Sequence, residues 1–146
     1  LVIHEKNFLF ICTGNSCRSQ MAEGLAKSMG WQAFSAGVEP TPVNPNAIAV
    51  MKEIGIDISK SESNHVDEYI NDIFDVIVTV CDHANETCPV FPNSVGKKIH
   101  HNFQDPYHAV GSSEEIINIY RKVRDQIQTW LLKFTREESL STGKMV

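Results

Sequence analysis

The sequence predicts a single α/β domain with a four-stranded parallel sheet flanked by helices. Strand-like apolar runs alternate along the chain with segments of helical periodicity, which is typical of such a sheet. The apolar, β-branched run over residues 74–80 has the composition of a strand that is covered on both faces. With 146 residues and no internal repeat, residues 1–146 are predicted to form one domain.

The first half of the chain predicts two strands and two helices. A strand over residues 7–11 leads into a short loop and then into a helix from about Ser19 to Met29. A second strand follows at residues 32–35. The Asn-Pro pair at residues 44–45 predicts the N-cap and first turn of a second helix, which ends near Gly55.

The second half predicts two more strands and a long helix. Residues 58–71 are polar and indicate a loop with one short helix, and the remaining strands are predicted at residues 74–80 and 98–103. The last helix opens with a capping-box pattern at residues 112–115 and carries an apolar stripe as far as Phe134. The predicted core therefore spans residues 7–134, and residues 135–146 are expected to fray.

Composition and charge narrow the classes of function. The net charge is −5, the pI is about 5.6 and no block of Lys or Arg occurs, which argues against nucleic acid or an anionic membrane as a partner. No apolar run approaches transmembrane length, and no signal peptide precedes the first strand, so a cytoplasmic location is expected. Four cysteines in that setting indicate catalytic, redox or metal-binding roles rather than structural disulfides.

A C-x5-R motif joins the first strand to the first helix. Its small residues allow the backbone to curl with several N–H groups pointing inward, and such a nest at a helix N-terminus attracts a tetrahedral oxyanion. The Arg18 guanidinium matches two oxyanion oxygens. The same field is expected to lower the pKa of the Cys12 thiol. The predicted oxyanion-binding residues are Thr13, Gly14, Asn15, Ser16, Cys17 and Arg18. The Cys17 side chain itself is expected to pack as a small apolar group.

Two further candidate residues follow strand ends. Cys81 ends the third predicted strand and Asp105 comes directly after the fourth. Because ligands of open parallel sheets bind beyond the carboxyl ends of the strands, both are expected near Cys12. Neighbouring negative charge favours the protonated form of Asp105, which could then donate a proton to a leaving oxygen. The alternative is a turn residue ahead of Pro106.

Cys81 and Cys88 are separated by six residues, and their spacing leaves several interpretations open. If the segment winds into one or two helical turns, both sulfurs could come within bonding range. If it stretches, Cys81 can reach Cys12 while Cys88 stays at the surface. Cys81 could also be a core residue, and the pair could bind zinc with His83, although this spacing is unusual for zinc.

Residues 11–24 (ICTGNSCRSQMAEG) resemble the signature of the thioredoxin-coupled arsenate reductases, which share the low molecular weight protein tyrosine phosphatase fold. The similarity runs from Asn7 to about Phe134. Other similar segments are residues 35–37, 44–45, 55–59, 78–81, 88–89, 105–106 and 121–125. The phosphatases share Cys12, Arg18 and Asp105, whereas the second and third cysteines belong to the reductases.

The resemblance implies an oxidoreductase that reduces arsenate to arsenite with thioredoxin as electron donor and no organic cofactor. Cys12 would attack the arsenic atom held by the loop and Arg18. Asp105 would help an oxygen leave as water, and Ser19 would hydrogen-bond the Cys12 thiolate, which favours its charged form.

The resemblance also implies a relay of three cysteines. Cys81 would attack the Cys12 sulfur, release arsenite and leave a Cys12–Cys81 disulfide. Cys88 would resolve that bond and give a Cys81–Cys88 disulfide accessible to thioredoxin. Each of these transfers is a thiolate attack, so order and access matter.

Two departures from the reductase pattern are visible. Members of the family can bind potassium, and the matching positions here are Asn15, Glu23 and Ser35, with Asn64 where some members carry an acid. Tyr107 after Asp-Pro resembles the phosphatases, so phosphotyrosine hydrolysis through a phosphocysteine is the alternative function.

A non-catalytic redox or metal sensor is a third interpretation, although a sensor has no need of an oxyanion loop.

Overall fold

The computed structural model describes residues 6–94 and 96–142 and has one parallel four-stranded sheet. The strands are β1 (Asn7–Cys12), β2 (Gln32–Gly37), β3 (Val76–Thr79) and β4 (Lys97–His100), arranged in the order β2-β1-β3-β4. The helices are α1 (Arg18–Ser28), α2 (Pro45–Lys52), α3 (Asp82–Thr87) and α4 (Ser113–Thr142), with 3-10 turns at Val66–Tyr69 and Pro106–His108. The predicted fold class is confirmed.

The core of the molecule surrounds β1. Phe8, Leu9, Phe10 and Ile11 are fully buried, and since successive strand residues point to opposite faces, the sheet is covered on both sides. Phe8 contacts the rings of Phe10, Trp31 and Phe134. The C-x5-R loop therefore follows a strand that lies inside the core.

Several helix boundaries follow local signals in the sequence. Asn44 caps α2 by accepting a hydrogen bond from the Asn46 backbone at 2.8 Å. Ser112 and Glu115 form the predicted reciprocal capping box before α4. The short helix predicted within residues 58–71 is the 3-10 turn Val66–Tyr69.

The fourth strand is shorter than predicted. It ends at His100 rather than at residue 103, and β2 extends to Gly37 rather than to residue 35. Beyond His100 the backbone still donates to the end of β3, from His101 to Thr79 at 2.9 Å and from Phe103 to Val80 at 3.0 Å. The Phe103 carbonyl accepts a hydrogen bond from Arg18. The segment after β4 is therefore held both by β3 and by the C-x5-R loop.

The prediction that the chain frays from residue 135 is wrong as far as residue 142. Helix α4 continues without a break to Thr142, and residues 143–146 lie outside the described residues. Thr135 is buried and donates a hydrogen bond from its hydroxyl to the Leu131 carbonyl at 2.7 Å. Extending a formed helix needs no new nucleus, so these residues can remain helical without an apolar stripe. Among the described residues, no helix is both long and apolar enough to cross a membrane.

Candidate active site

The C-x5-R loop between β1 and α1 forms a closed cup. Its carbonyl groups accept hydrogen bonds from a neighbouring segment, residues 38–44. These bonds run from Val38 to Cys12 at 3.2 Å, Glu39 to Thr13 at 2.8 Å, Thr41 to Gly14 at 2.9 Å and Asn44 to Ser16 at 3.0 Å. Because the carbonyls are bonded on the outside, the N–H groups are left to line the inside, as an oxyanion nest requires.

Two positions make this tight curl possible. Asn15 adopts a left-handed backbone conformation with φ 51°, which Asn tolerates better than most residues. At Gly37 a side chain would not fit, because a Cβ there would lie 2.7 Å from the Thr13 carbonyl oxygen. The Ser63 hydroxyl reaches the remaining carbonyl, that of Asn15, at 2.9 Å. The cup is therefore shaped by three separate segments of chain.

A directed chain of hydrogen bonds ends at the nucleophile. The Glu23 carboxylate accepts from the Ser35 hydroxyl at 2.5 Å, so that hydroxyl must in turn accept from Asn15 Nδ2 at 2.8 Å. Asn15 Nδ2 also donates to Ser19 Oγ at 2.8 Å. Ser19 keeps its own hydrogen for Cys12 Sγ, which lies 2.8 Å away. Because each hydrogen bond in the chain points so that Ser19 donates to Cys12, the arrangement favours the thiolate form of Cys12.

Burial acts on Cys12 in the opposite direction. The residue is only 2% exposed, and burial raises the pKa of its thiol. Hydrogen bonds from Ser19 and the Asn15 backbone and the charge of Arg18 oppose this effect, but burial is the larger influence. The expectation of a lowered pKa is therefore wrong for this conformation, because it considered the local field without the desolvation of the thiolate.

Arg18 connects the cup to the opposite wall of the site. It is 6% exposed, donates from Nη1 to the Phe103 carbonyl at 3.1 Å and places Nη2 3.3 Å from Asp105 Oδ2. Within the described ranges, its buried Nε has no hydrogen-bond partner. A buried guanidinium N–H without a partner is costly and is typical of a binding site whose ligand supplies the acceptor.

Asp105 caps a turn, as one of the two interpretations of the sequence expected, and its carboxyl group also faces the cup. Its Oδ1 accepts from the Tyr107 backbone at 3.0 Å and so caps the 3-10 turn, while Oδ2 faces Arg18 and lies 3.7 Å from His108 Nε2. Tyr107 is 56% exposed. The cup has a volume of about 190 Å³ and is lined by Cys12, Thr13, Gly14, Ser16, Cys17, Arg18, Glu39, Thr41, Asp105, Tyr107 and His108.

Cys81 and Cys88 lie at the two ends of α3. Cys81 is buried beside the cup, with its sulfur 3.3 Å from Thr13 Oγ1, and it caps the helix by accepting from the Ala84 backbone at 3.4 Å. Cys88 is half-buried at the far end. Burial raises the pKa of its thiol, and the charge of Lys98 opposes this. All four cysteines of the chain are free thiols.

A wound α3 holds these two sulfurs apart. Seven residue steps of helix span about 10 Å, whereas the Cα atoms of a disulfide lie about 4.4–6.8 Å apart. The interpretation that helical turns bring Cys81 and Cys88 within bonding range is therefore wrong. No group of three or more His, Cys, Asp or Glu residues suited to a metal occurs in the part of the chain that the structure describes, and the zinc interpretation with His83 has no support there.

Cys17 packs away from the nucleophile, as predicted. It is buried against Tyr120, whose hydroxyl lies 3.7 Å from its sulfur, and burial raises the pKa of its thiol to about 11. A thiol in that environment is a poor nucleophile at neutral pH. The Cys17 side chain therefore has a packing role in the loop.

The four positions suggested for potassium lie together and are linked by hydrogen bonds. Asn15 Oδ1 accepts from the Asn64 backbone at 2.9 Å, and the Ser35 hydroxyl donates to Glu23. The second oxygen of Glu23 lies 2.6 Å from the Lys27 ammonium, which supplies a positive charge from within the chain. The potassium site stays a prediction, with the Lys27 ammonium beside one of the oxygens it would use.

Sequence reasoning missed the residues that brace the cup from outside. Thr41 and Ser63 donate hydrogen bonds to carbonyl groups of the loop. Glu39 and His108 line the cup itself. None belongs to the C-x5-R motif. A weak signal was present, since residues 38–45 contain three prolines, which disfavour a helix or an inner strand there.

The fold and the cup together define a class of protein. The family model described as low molecular weight phosphotyrosine protein phosphatase matches residues 7–143, and this chain belongs to that family. Within it, the chain is similar to proteins named arsenate reductase. One from Halalkalibacterium halodurans is 47% identical over 128 residues, covering 86% of this chain and 91% of the relative. One from Bacillus subtilis is 46% identical over 145 residues, covering 97% and 100%.

Solved structures of arsenate reductases also resemble this chain. A structure described as an arsenate reductase in the phosphate binding state has a TM-score of 0.77 and 32% identity, covering 92% of this chain and 99% of that one. An arsenate reductase in the oxidized state follows with a TM-score of 0.75 and 31% identity over the same shares. The YwlE arginine phosphatase from Geobacillus stearothermophilus is 23% identical with a TM-score of 0.70, so it supports the fold alone.

Proposed function

We propose that this protein reduces arsenate to arsenite and receives its electrons from thioredoxin. The observation that carries the proposal is the pair of thiols beyond those a phosphatase needs. Cys81 lies against the cup through Thr13, and Cys88 lies at the far end of the same short helix. The identity to relatives named arsenate reductase supports the same reaction.

The cup performs the first step. Arsenate is a tetrahedral oxyanion and binds among the loop N–H groups and Arg18. Cys12 Sγ attacks the arsenic atom and forms a sulfur–arsenic bond. One arsenic–oxygen bond breaks, and Asp105 supplies a proton so that this oxygen leaves as water. The directed hydrogen bond from Ser19 stabilises the attacking thiolate against the cost of its burial.

The second step transfers the electrons. The Cys81 thiolate attacks Cys12 Sγ, and the electron pair of the sulfur–arsenic bond passes to arsenic, which is reduced by two electrons and leaves as arsenite. A Cys12–Cys81 disulfide carries the corresponding oxidation. Cys88 then attacks Cys81, which frees the Cys12 thiolate, and the dithiol of thioredoxin reduces the resulting Cys81–Cys88 disulfide. Since a wound α3 separates these two residues by about 10 Å, the helix must unwind during this exchange.

The proposal needs no organic cofactor and routes no step through potassium, because Glu23 is paired with Lys27. It includes a cytoplasmic setting, since the thiols of a thioredoxin-dependent relay remain reduced there.

The deciding experiment couples arsenate to NADPH oxidation through thioredoxin and thioredoxin reductase. We expect turnover that depends on both arsenate and thioredoxin. Parallel reactions with glutaredoxin and glutathione identify the donor. No turnover with any donor, together with efficient hydrolysis of a phosphotyrosine peptide, would overturn the proposal.

One observation favours phosphotyrosine hydrolysis as a second activity. Tyr107 is half-exposed at the rim of the cup and can flank an aromatic ring of a bound aryl phosphate. Cys12 would form a phosphocysteine, Asp105 would protonate the leaving phenol, and water would hydrolyse the intermediate. If Tyr107 serves this role, Tyr107→Ala should raise KM for aryl phosphates and leave arsenate reduction unchanged.

A further inference from the structure

Helix α3 depends on tertiary contacts for its existence. It has six residues, and isolated helices of that length are not stable in water, because nucleation is costly and few hydrogen bonds offset it. Its own cap, the Cys81 sulfur, accepts from the Ala84 backbone at 3.4 Å, and sulfur is a weak acceptor. The contacts that hold α3 wound must therefore come from neighbouring segments.

One such contact fixes the first residue of α3 to the sheet. Asp82 Oδ1 lies 2.7 Å from His100 Nε2, and the Asp82 backbone N–H donates to Asn102 Oδ1 at 3.2 Å. The His100 ring is itself oriented, since its Nδ1 lies 2.9 Å from Thr79 Oγ1 in β3. The start of α3 is thus attached to the end of β4, through His100 to β3, and to Asn102 after β4.

A second contact fixes the next residue to the other side. His83 Nε2 lies 3.2 Å from Glu39 Oε2, in the segment that braces the cup. The Thr87 hydroxyl donates to the His83 carbonyl at 2.9 Å and so links His83 to the last residue of the helix. Exposed pairs of this kind each contribute little to stability, but α3 is short enough for small contributions to decide its population.

We propose that Asp82 and His83 are positioning residues that hold α3 wound and so set the rate at which Cys88 reaches Cys81. This inference rests on the proposed relay. In the step concerned, the Cys88 thiolate attacks Cys81 Sγ, the Cys81–Cys88 bond forms, the Cys12–Cys81 bond breaks and Cys12 leaves as a thiolate, with no net change in oxidation. Releasing the two residues raises the unwound population and speeds this step, while arsenite release, which precedes it, is unaffected.

The experiment compares Asp82→Ala, His83→Ala and the double variant with the wild type. Reduced protein is mixed with one equivalent of arsenate, quenched in acid at intervals and alkylated. Mass spectrometry then follows the Cys12–Cys81 and Cys81–Cys88 species, and arsenite release is measured in parallel. Asp67→Ala is the matched control, because Asp67 also pairs with a histidine and is 75% exposed, against 72% for Asp82, but lies outside α3. Asp82→Glu tests rescue by a conservative change.

We expect conversion to the Cys81–Cys88 disulfide to be roughly threefold to tenfold faster in the double variant, with faster amide exchange in α3 and unchanged exchange in β1. Arsenite release should stay within about twofold of wild type, and Asp67→Ala should change neither rate. An unchanged conversion rate in the double variant would overturn the inference, as would unchanged α3 exchange. If the wild type forms neither disulfide, the relay itself is wrong, which is a separate outcome.

Discussion

The cup and α3 lie at the same edge of the sheet but are held in opposite ways. In the cup, the carbonyls of residues 12–16 are each bonded to residues 38–44 or to Ser63, and Asn15 and Ser19 are completely buried. Helix α3 is short, and the side-chain pairs that Asp82 and His83 make with the rest of the protein are exposed. Binding and attack on an oxyanion require fixed geometry, whereas a sulfur that changes partners must move. The two regions match the roles proposed for them.

The largest expected effect separates the two regions by function. Cys81→Ser and Cys88→Ser should both abolish multiple-turnover arsenate reduction, yet keep any hydrolysis of an aryl phosphate, because neither residue shapes the cup. After one exposure to arsenate, Cys88→Ser should release one arsenite per protein and trap a Cys12–Cys81 disulfide. Cys81→Ser should form no such bond. Alkylation and peptide mapping distinguish these outcomes, and sustained turnover of Cys88→Ser with thioredoxin would contradict the relay.

The next effect tests the rigidity of the cup. Arg18→Lys keeps the positive charge but loses the planar fork and the bond to the Phe103 carbonyl. We expect kcat/KM for arsenate and for aryl phosphates to fall together by roughly hundredfold, since both reactions use the same oxyanion contacts. Steady-state kinetics with both substrates measures this. A loss confined to one substrate would show that the two reactions do not share the cup.

A smaller effect tests the directed hydrogen bonds. Ser19→Ala removes the donor to Cys12 Sγ and leaves burial unopposed by it, so the pKa of the thiol should rise further. The pH profile of Cys12 alkylation by iodoacetamide should move to higher pH, and the rate at neutral pH should fall roughly tenfold. Ser19→Thr retains the hydroxyl and is the control. An unchanged profile in Ser19→Ala would mean that the hydroxyl does not stabilise the thiolate.

The smallest effect lies outside both regions. Glu53 links the end of α2 to α4 through Arg121 at 2.6 Å and Arg124 at 2.9 Å, and these contacts lower the pKa of its carboxyl to about 2. A lowered pKa stabilises the fold above the unfolded value near 4.5, and this stabilisation is lost as pH falls from there towards 2.

Glu53→Gln should therefore have a lower Tm than wild type at pH 7, with the difference shrinking by pH 3. Thermal unfolding followed by circular dichroism at both pH values checks this. Alkylation of Cys12 should not change, since Glu53 contacts neither the cup nor α3. A Tm difference that is independent of pH would show that the carboxylate charge is not the cause.

The parts of the site that were predictable follow either from a few consecutive residues or from the topology of a parallel sheet. Cys12 and Arg18 lie within one loop, and a parallel sheet brings Cys81 and Asp105 to the same edge. The bracing by Thr41 and Ser63 depends on backbone contacts between distant segments, which no local pattern encodes. The direction of the Cys12 pKa was misjudged for a similar reason, since the desolvation of a thiol depends on everything packed around it.

The pairing of β1 directly with β3 gives the proposed relay two unequal distances. Adjacent strands lie about 4.8 Å apart, so the first exchange, from Cys12 to Cys81, takes place between neighbours in one sheet. The second exchange must cross the length of α3. Friction with the solvent slows the unwinding of α3 but has little effect on the exchange between Cys12 and Cys81. A viscous medium should therefore slow the delivery of electrons from thioredoxin and leave the rate of arsenite release unchanged.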